Sequence, residues 1–227
     1  MSSIEARLHA TNPSHGQRSA DAAQQLAQAA EHHGLLDVAW TRLDSPLGTL
    51  LAAATPAGLC ALWYEESRVE QFLDLLARRI SPRILETPRR LDPVRRELDE
   101  YFAGRRQTFG VPLDWTLTNG GFAQRVLQIT AQIPYGVVRT YREVAADAGN
   151  PRASRAAGNA LGANPLPIVV PCHRVVRTGG GLGGYTTGVH KKAFLLDLES
   201  PHDQPKRAEA GRRLLDGEPI QSMTGRS

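Results

Sequence analysis

Residues 140–163, TYREVAADAGNPRASRAAGNALGA, decide how the second half of the chain is built. Thr140 and Glu143 stand at the spacing of a capping box, in which a threonine hydroxyl and a glutamate carboxylate satisfy each other's backbone amides. A short helix is predicted from there through Ala148. Gly149-Asn150-Pro151 then makes a turn, with Asn150 as an N-cap and Pro151 at the first position of a following helix that runs through Ala163. Helix, short glycine-containing turn, helix is the helix-turn-helix arrangement. The second helix is nearly bare: Ala153, Ser154, Ala156, Ala157, Gly158, Ala160, Gly162 and Ala163 surround Arg155, the one long side chain in its middle. So thin a helix suits two situations alike, tight packing in a small core or insertion into a groove.

Downstream, the apolar run Leu166-Pro167-Ile168-Val169-Val170 leads into Pro171-Cys172-His173-Arg174. A thiol is a strong nucleophile only as thiolate, a form that neighbouring cations such as His173 and Arg174 favour. The competing reading of Cys172 is a small buried hydrophobe. Glycines crowd residues 179–184, ahead of Tyr185 and Thr186, where backbone N–H groups can approach a ligand or merely form a flexible hairpin. Val189 to Glu199 is predicted as a closing helix with Phe194, Leu195 and Leu198 on its apolar face. Cys172, His173 and Glu199 are a candidate nucleophile, base and orienter.

Upstream, Leu117-Thr118-Asn119-Gly120-Gly121 reads as a linker, after which Phe122, Val126, Leu127 and Ile129 follow a helical period. Before it, three apolar runs, at 38–43, 49–54 and 59–64, are split by Ser45-Pro46-Leu47-Gly48 and Thr55-Pro56-Ala57-Gly58, the pattern of an antiparallel meander. Ser67 is placed to cap a helix carrying Val69, Phe72, Leu73, Leu75 and Leu76, and Asp92-Pro93 starts another that ends at Gly104. Cys60, amid Leu59, Leu62 and Trp63, reads as core. The expected organisation is a flexible N-terminal extension over 1–36, in which only Asp21 to Glu31 could form a short helix, an α+β domain over 37–116, a mainly helical domain over 120–200, and a flexible tail over 201–227.

With 227 residues, 41% of them hydrophobic, the chain can bury one core of ordinary size or two smaller ones. Two cysteines outside any CxxC pair support neither a disulfide framework nor a cysteine-rich zinc site, so reduced thiols and a cytoplasmic location are expected. The N-terminus offers no apolar signal core, and no window approaches the roughly 18 apolar residues of a membrane span. The net charge of +4 is uneven: between 120 and 200, nine Lys or Arg face four acids. A basic half suits a polyanion, although such an excess is also ordinary solvated surface.

Taken together, Pro171-Cys172-His173-Arg174-Val175, Asn164-Pro165, Gly149-Asn150-Pro151, Arg155, Tyr185 and Glu199 resemble the O6-alkylguanine-DNA alkyltransferase family, the methylated-DNA-protein-cysteine methyltransferases. The match is dense over about 120–200 and looser before it. It implies an α+β protein: a small antiparallel-sheet, ribonuclease H-like domain followed by a winged-helix-like domain with a helix-turn-helix. The implied activity is irreversible, single-turnover transfer of the alkyl group of O6-alkylguanine, and of O4-alkylthymine, from duplex DNA to Cys172. His173, acting through a water and oriented by Glu199, would take the thiol proton; Tyr141 would donate to guanine N3; Asn164 would brace the turn before the nucleophile. Arg155 would fill the space left by the flipped base, with Ser154, Ala156, Gly158, Tyr141 and Arg152 also at the DNA. Leu161, Val175, through its carbonyl, Tyr185 and Thr186 would line the base pocket. Chemistry on a base stacked in a duplex requires extrusion, and a bare helix suits a minor groove about 6 Å wide. The balance between core packing and groove insertion therefore shifts toward the groove.

The resemblance implies no cofactor, no metal, a monomer in solution that can cluster on DNA, and no membrane partner. Gly162 stands where some members carry a basic residue, Thr186 where some carry serine, and the metal-binding N-terminal cysteines of certain relatives are lacking. Two other readings stay distinct. A non-catalytic lesion-binding module would lack the reactive cysteine, and a thiol hydrolase would take its base from a distant segment rather than from the adjacent residue.

Overall fold

The structure is a computed structural model, and residues 29–30, 33–64, 68–179 and 181–200 are described. Ser67, most of the N-terminal extension, all but Ala29 and Ala30 of its expected short helix, and the tail beyond 200 lie outside the described residues. Leu36, assigned by sequence to the extension, is buried.

Three strands, β1 (Val38–Leu43), β2 (Leu50–Thr55) and β3 (Gly58–Trp63), form the expected antiparallel meander. Helix α1 (Val69–Arg79) follows, then β4 (Ile84–Glu86) and α2 (Asp92–Phe102). The sheet order is β3-β2-β1-β4, and β4 runs parallel to β1, so the sheet is mixed and the purely antiparallel expectation is corrected. Three residues, two half-buried and one exposed, carry no periodicity to read. What holds them is long-range: Arg83 grips Asp37 through two 2.8 Å hydrogen bonds, and Arg42 reaches Glu86 at 2.7 Å.

Every residue of β2 is buried, because both faces of the sheet are covered. Leu51 and Ala53 face α1, packing with Val38, Trp40, Phe72 and Leu76. Leu50, Ala52 and Ala54 face the other way, into a cluster that also holds Leu98 and Tyr101 of α2 and reaches Val126, Val144, Leu166 and Leu195 of the second half. The two parts read from the sequence thus share one hydrophobic core. Burying each such leucine is worth about 1.5–3 kcal/mol, so the second half is anchored to the sheet by packing.

The second half comprises α3 (Gly121–Ala131), β5 (Arg139–Thr140), α4 (Tyr141–Asp147), α5 (Ser154–Gly162), a single 3-10 turn (Cys172–Arg174), β6 (Val175–Val176) and α6 (Val189–Glu199). The capping box at Thr140 and Glu143 is complete. The start of α5 differs from the sequence reading, because Asn150 and Pro151 stay in the turn. Asn150 Oδ1 accepts from the Arg152 amide at 3.2 Å and its carbonyl from Ala153 at 3.0 Å, so Asn150 closes the turn rather than capping the helix. Gly149 takes φ +94°, a conformation that favours glycine. Among the described residues, no helix is long and apolar enough to cross a membrane.

Candidate active site

The segment between α5 and the nucleophile is a braced, strained loop. Asn164 Oδ1 accepts from the Leu166 amide at 3.0 Å and its Nδ2 donates to the Val170 carbonyl at 2.9 Å. The Val170 amide bonds to Leu166, and the Cys172 amide to Val170. Ile168, fully buried, sits at φ +73°, where a β-branched residue costs about 1–3 kcal/mol. Packing and the Asn164 brace hold that strain and fix where Cys172 emerges.

Cys172 is 7% exposed and His173 is completely buried. His173 Nε2 meets Glu199 Oε1 at 2.9 Å, while Nδ1 has no protein partner. With Nε2–H donating to the carboxylate, Nδ1 carries the lone pair that can take a proton. Burial holds the imidazole below its ordinary value against the pull of Glu199, so it rests neutral at neutral pH. Glu199 is a hub: Oε1 also accepts from Tyr101 Oη at 2.7 Å and Arg174 Nη2 at 2.8 Å, and Oε2 from Arg174 Nε at 2.8 Å and the Gly136 amide at 3.3 Å. Burial opposes its charge, but the hydrogen bonds from His173 and Arg174 bring its carboxyl down to about 2. It is a fixed anion that orients its neighbours.

Arg174 therefore does not serve the thiol as the sequence suggested, since its guanidinium is spent on Glu199 and the Ile133 carbonyl. The cation that does act on Cys172 is Lys192, which sequence reading passed over. It is fully buried on α6, its Nζ donates to the Val175 carbonyl at 2.5 Å, and it lies 5.8 Å from the Tyr141 ring. Burial pushes the Cys172 thiol up, and hydrogen bonds from Asn164 and Tyr185, with the charge of Lys192, act against that. The Val175 carbonyl, expected to face a base amine, has its other lone pair left after Lys192. Lys192 shares a helical stripe with Leu195 and Glu199, which is the one signal that could have found it.

Tyr141, half-buried, stands at the start of α4 between Gly158 of α5 and Gly183 of the glycine-rich loop. A Cβ on Gly183 would lie 2.9 Å from its hydroxyl, and Gly183 itself has φ +73°, so glycine is required there on two counts. Burial raises the Tyr141 phenol pKa and keeps its proton available. Thr186 Oγ1 donates to the Gly162 carbonyl at 2.8 Å, tying the loop to the end of α5. One cavity of about 1010 Å³ joins these parts; its walls include Cys172, Tyr141, Leu161, Asn164, Tyr185 and Thr186. Ser154, Arg155 and Gly158 of α5 line it too. Arg155 and Ala156 are exposed, and among the described residues Arg155 makes no hydrogen bond or ion pair; Arg152 is exposed beside them.

The sequence-predicted nucleophile, base and orienter thus converge, with the bare helix lining the same cavity. Tyr64 and Tyr101, both from the first half, reach the site and were missed; each carries only local signals of a buried stripe or strand end. A buried thiol with an oriented imidazole, opening beneath a helix-turn-helix, defines a thiol-based group-transfer protein with a macromolecular face.

Comparison with known proteins makes this specific. Residues 38–115 match the family described as "6-O-methylguanine DNA methyltransferase, ribonuclease-like domain", and residues 121–201 the DNA binding domain of the same family. The inducible methylated-DNA–protein-cysteine methyltransferase of Bacillus subtilis is 37% identical over 161 residues, covering 70% of this chain and 89% of that protein. Its Mycobacterium tuberculosis counterpart (strain H37Rv) is 38% identical over 179 residues, covering 77% and 96%. The crystal structure of Mycobacterium tuberculosis OGT in complex with DNA superposes with a TM-score of 0.64 at 37% identity, covering 78% of this chain and 99% of that one. The chain belongs to the 6-O-methylguanine DNA methyltransferase family, and its activity is alkyl transfer to a protein cysteine in DNA repair.

Proposed function

We propose that Cys172 is the alkyl acceptor and that it removes the alkyl group from O6-alkylguanine, and from O4-alkylthymine, in duplex DNA once per molecule. The observation that carries this reading is the neutral His173, its Nε2 held by Glu199 and its Nδ1 unclaimed by protein, in the residue next to a buried thiol. The thiol proton passes to Nδ1 through a bridging water. The sulfur attacks the alkyl carbon, the C–O6 bond breaks, and its electron pair stays on the base. Tyr141 gives its proton to N3 as that charge develops, and solvent returns a proton from the imidazolium to the phenolate. The net result is a thioether and an unmodified base.

A thioether offers water no easy route to release the cysteine, so each molecule reacts once. The lesion must leave the base stack to reach Cys172, at a cost of a few kcal/mol. Arg155, exposed in the first turn of α5, occupies the vacated position, flanked by Arg152, Ser154, Ala156 and Gly158. Leu161, Val175, Tyr185 and Thr186 enclose the base. Asn164 braces the loop before the nucleophile and also acts on the sulfur, favouring the thiolate. A single chain carries the whole constellation and acts as a monomer in solution that can cluster on DNA. Both cysteines are free thiols, as suits the cytoplasm.

Incubation with duplex DNA carrying O6-methylguanine tests the reading. The peptide containing Cys172 is expected to gain the mass of one methylene; bound DNA with no adduct overturns it.

A further inference from the structure

The first half of the chain touches the thiol's surroundings through Tyr64, which follows β3. Its hydroxyl lies 2.9 Å from that of Tyr185, across 121 residues of sequence, with the rings edge to face at 6.3 Å between centroids. Tyr64 is 5% exposed, and among the described residues its hydroxyl has no other hydrogen-bond partner. Tyr64, Tyr185 and Cys172 line one cavity, and the Tyr185 hydroxyl acts to bring the Cys172 thiol down against its burial. Two phenols therefore stand in series between the sheet and the cavity that holds the sulfur.

We infer that Tyr64 is a positioning residue of the alkyl-transfer site, donating its proton to Tyr185 so that the Tyr185 hydroxyl is turned toward, and polarised for, the Cys172 thiolate. Each hydroxyl has one proton. When Tyr185 gives its own to sulfur, its oxygen is left to accept, and the buried Tyr64 is the donor within reach. Hydrogen bonds in such a chain strengthen one another in a low-dielectric setting. Without Tyr64, the Tyr185 oxygen loses its donor and becomes a poorer donor itself.

Other charged and titratable groups surround the sulfur and act on it independently of Tyr64. Lys192 and Tyr141 approach from α6 and α4, Asn164 from the braced loop, and His173, neutral and tied to Glu199, follows the cysteine in the same turn. Lys191 lies 4.6 Å from the centre of the Tyr64 ring and favours electron density there, and Arg177 acts on Tyr141. None of these donates to the Tyr185 hydroxyl.

This inference rests on Cys172 being the reacting thiol, so its test reads the thiol directly. The rate of iodoacetamide labelling of Cys172 is measured against pH in the full chain, without DNA. Tyr64→Phe keeps the ring and removes the proton; labelling near neutral pH is expected to fall about fivefold, with the profile displaced to higher pH. Tyr185→Phe should displace it further, and the double variant should match Tyr185→Phe alone. A fluorotyrosine incorporated at position 64, a stronger donor, should move the profile the opposite way, which loosened packing would not do. Superimposable profiles for the parent and both position-64 variants overturn the inference, as do multiplying effects in the double variant. Failure of the parent to form a DNA-derived adduct would instead count against the proposed function, leaving the labelling result readable.

Discussion

The chain has two cysteines, both buried, and they differ in everything except burial. Cys60 lies within β3 at 0% exposure, donates to the Ala53 carbonyl at 3.2 Å, and is pushed up to about 12 by burial and by the nearby Asp114 charge. Cys172, at 7%, is pushed up by burial too, but Asn164, Tyr185 and Lys192 all act in the opposite direction, and a neutral imidazole follows it in the chain. Burial alone makes a thiol inert. Donors and a cation built around the sulfur separate a reagent from a core residue, and they can do so without exposing it to solvent.

The comparison breaks most sharply at the sulfur atoms themselves. Cys172→Ala is expected to abolish adduct formation while retaining DNA binding in a gel-shift assay, and Cys60→Ala to leave the transfer rate unchanged. Next in size, His173→Ala removes the base, and single-turnover rates should fall by about 10²–10⁴-fold. Glu199→Gln should approach that loss and also destabilise the fold by about 3–5 kcal/mol, because Arg174 would be left charged and buried without its partner; chemical denaturation reads the difference.

Acidity probes the same cluster. The Glu199 carboxyl titrates at about 2 in the folded protein against an ordinary 4.5, so its stabilising contribution is complete above about pH 4.5 and is lost as the pH falls toward 2. His173, held below its ordinary 6.5, binds protons more readily in the unfolded chain and also withdraws stability as pH drops below that value. Thermal melts between pH 7 and 3 should show a falling midpoint, and Glu199→Gln should flatten the lower part of that slope.

Smaller effects sharpen the contrast. Arg155→Ala should slow repair of duplex DNA by about tenfold while sparing attack on free alkylguanine, since extrusion costs only a few kcal/mol and the arginine acts on that step. Equal losses on both substrates would contradict its assignment. Lys192→Met should displace the rate–pH profile of transfer upward by about one unit, the equivalent of one modest charge interaction. The smallest change is expected from Cys60→Ala, about 1 kcal/mol of stability read by urea denaturation.

Much of this was legible where structure is local. The capping box at Thr140, the runs that became β1 to β3, and the Cys172-His173 pair are short-range patterns, and each appears where the residues suggest. The boundary at Asn150 moved because an Asn-Pro pair can close a turn as readily as open a helix. What stayed hidden depends on distant partners. β4 exists because Arg83 and Glu86 find Asp37 and Arg42, more than 40 residues away. Tyr101 meets Glu199 across 98 residues, and no spacing rule joins them. Arg174 looked like a thiol activator by adjacency alone, whereas the 3-10 turn sends its side chain to Glu199 and leaves the charge at the sulfur to Lys192.

The central claim is that one thiol of the two is built to react, and to react once. Intact-mass analysis of the protein after exposure to a large excess of duplex containing O6-methylguanine tests it most directly, with peptide mapping of the product. The account predicts that methylation saturates at one group per chain, all of it on Cys172, with Cys60 unmodified. Repair that continues past one lesion per chain, or methyl groups found on Cys60, would contradict it.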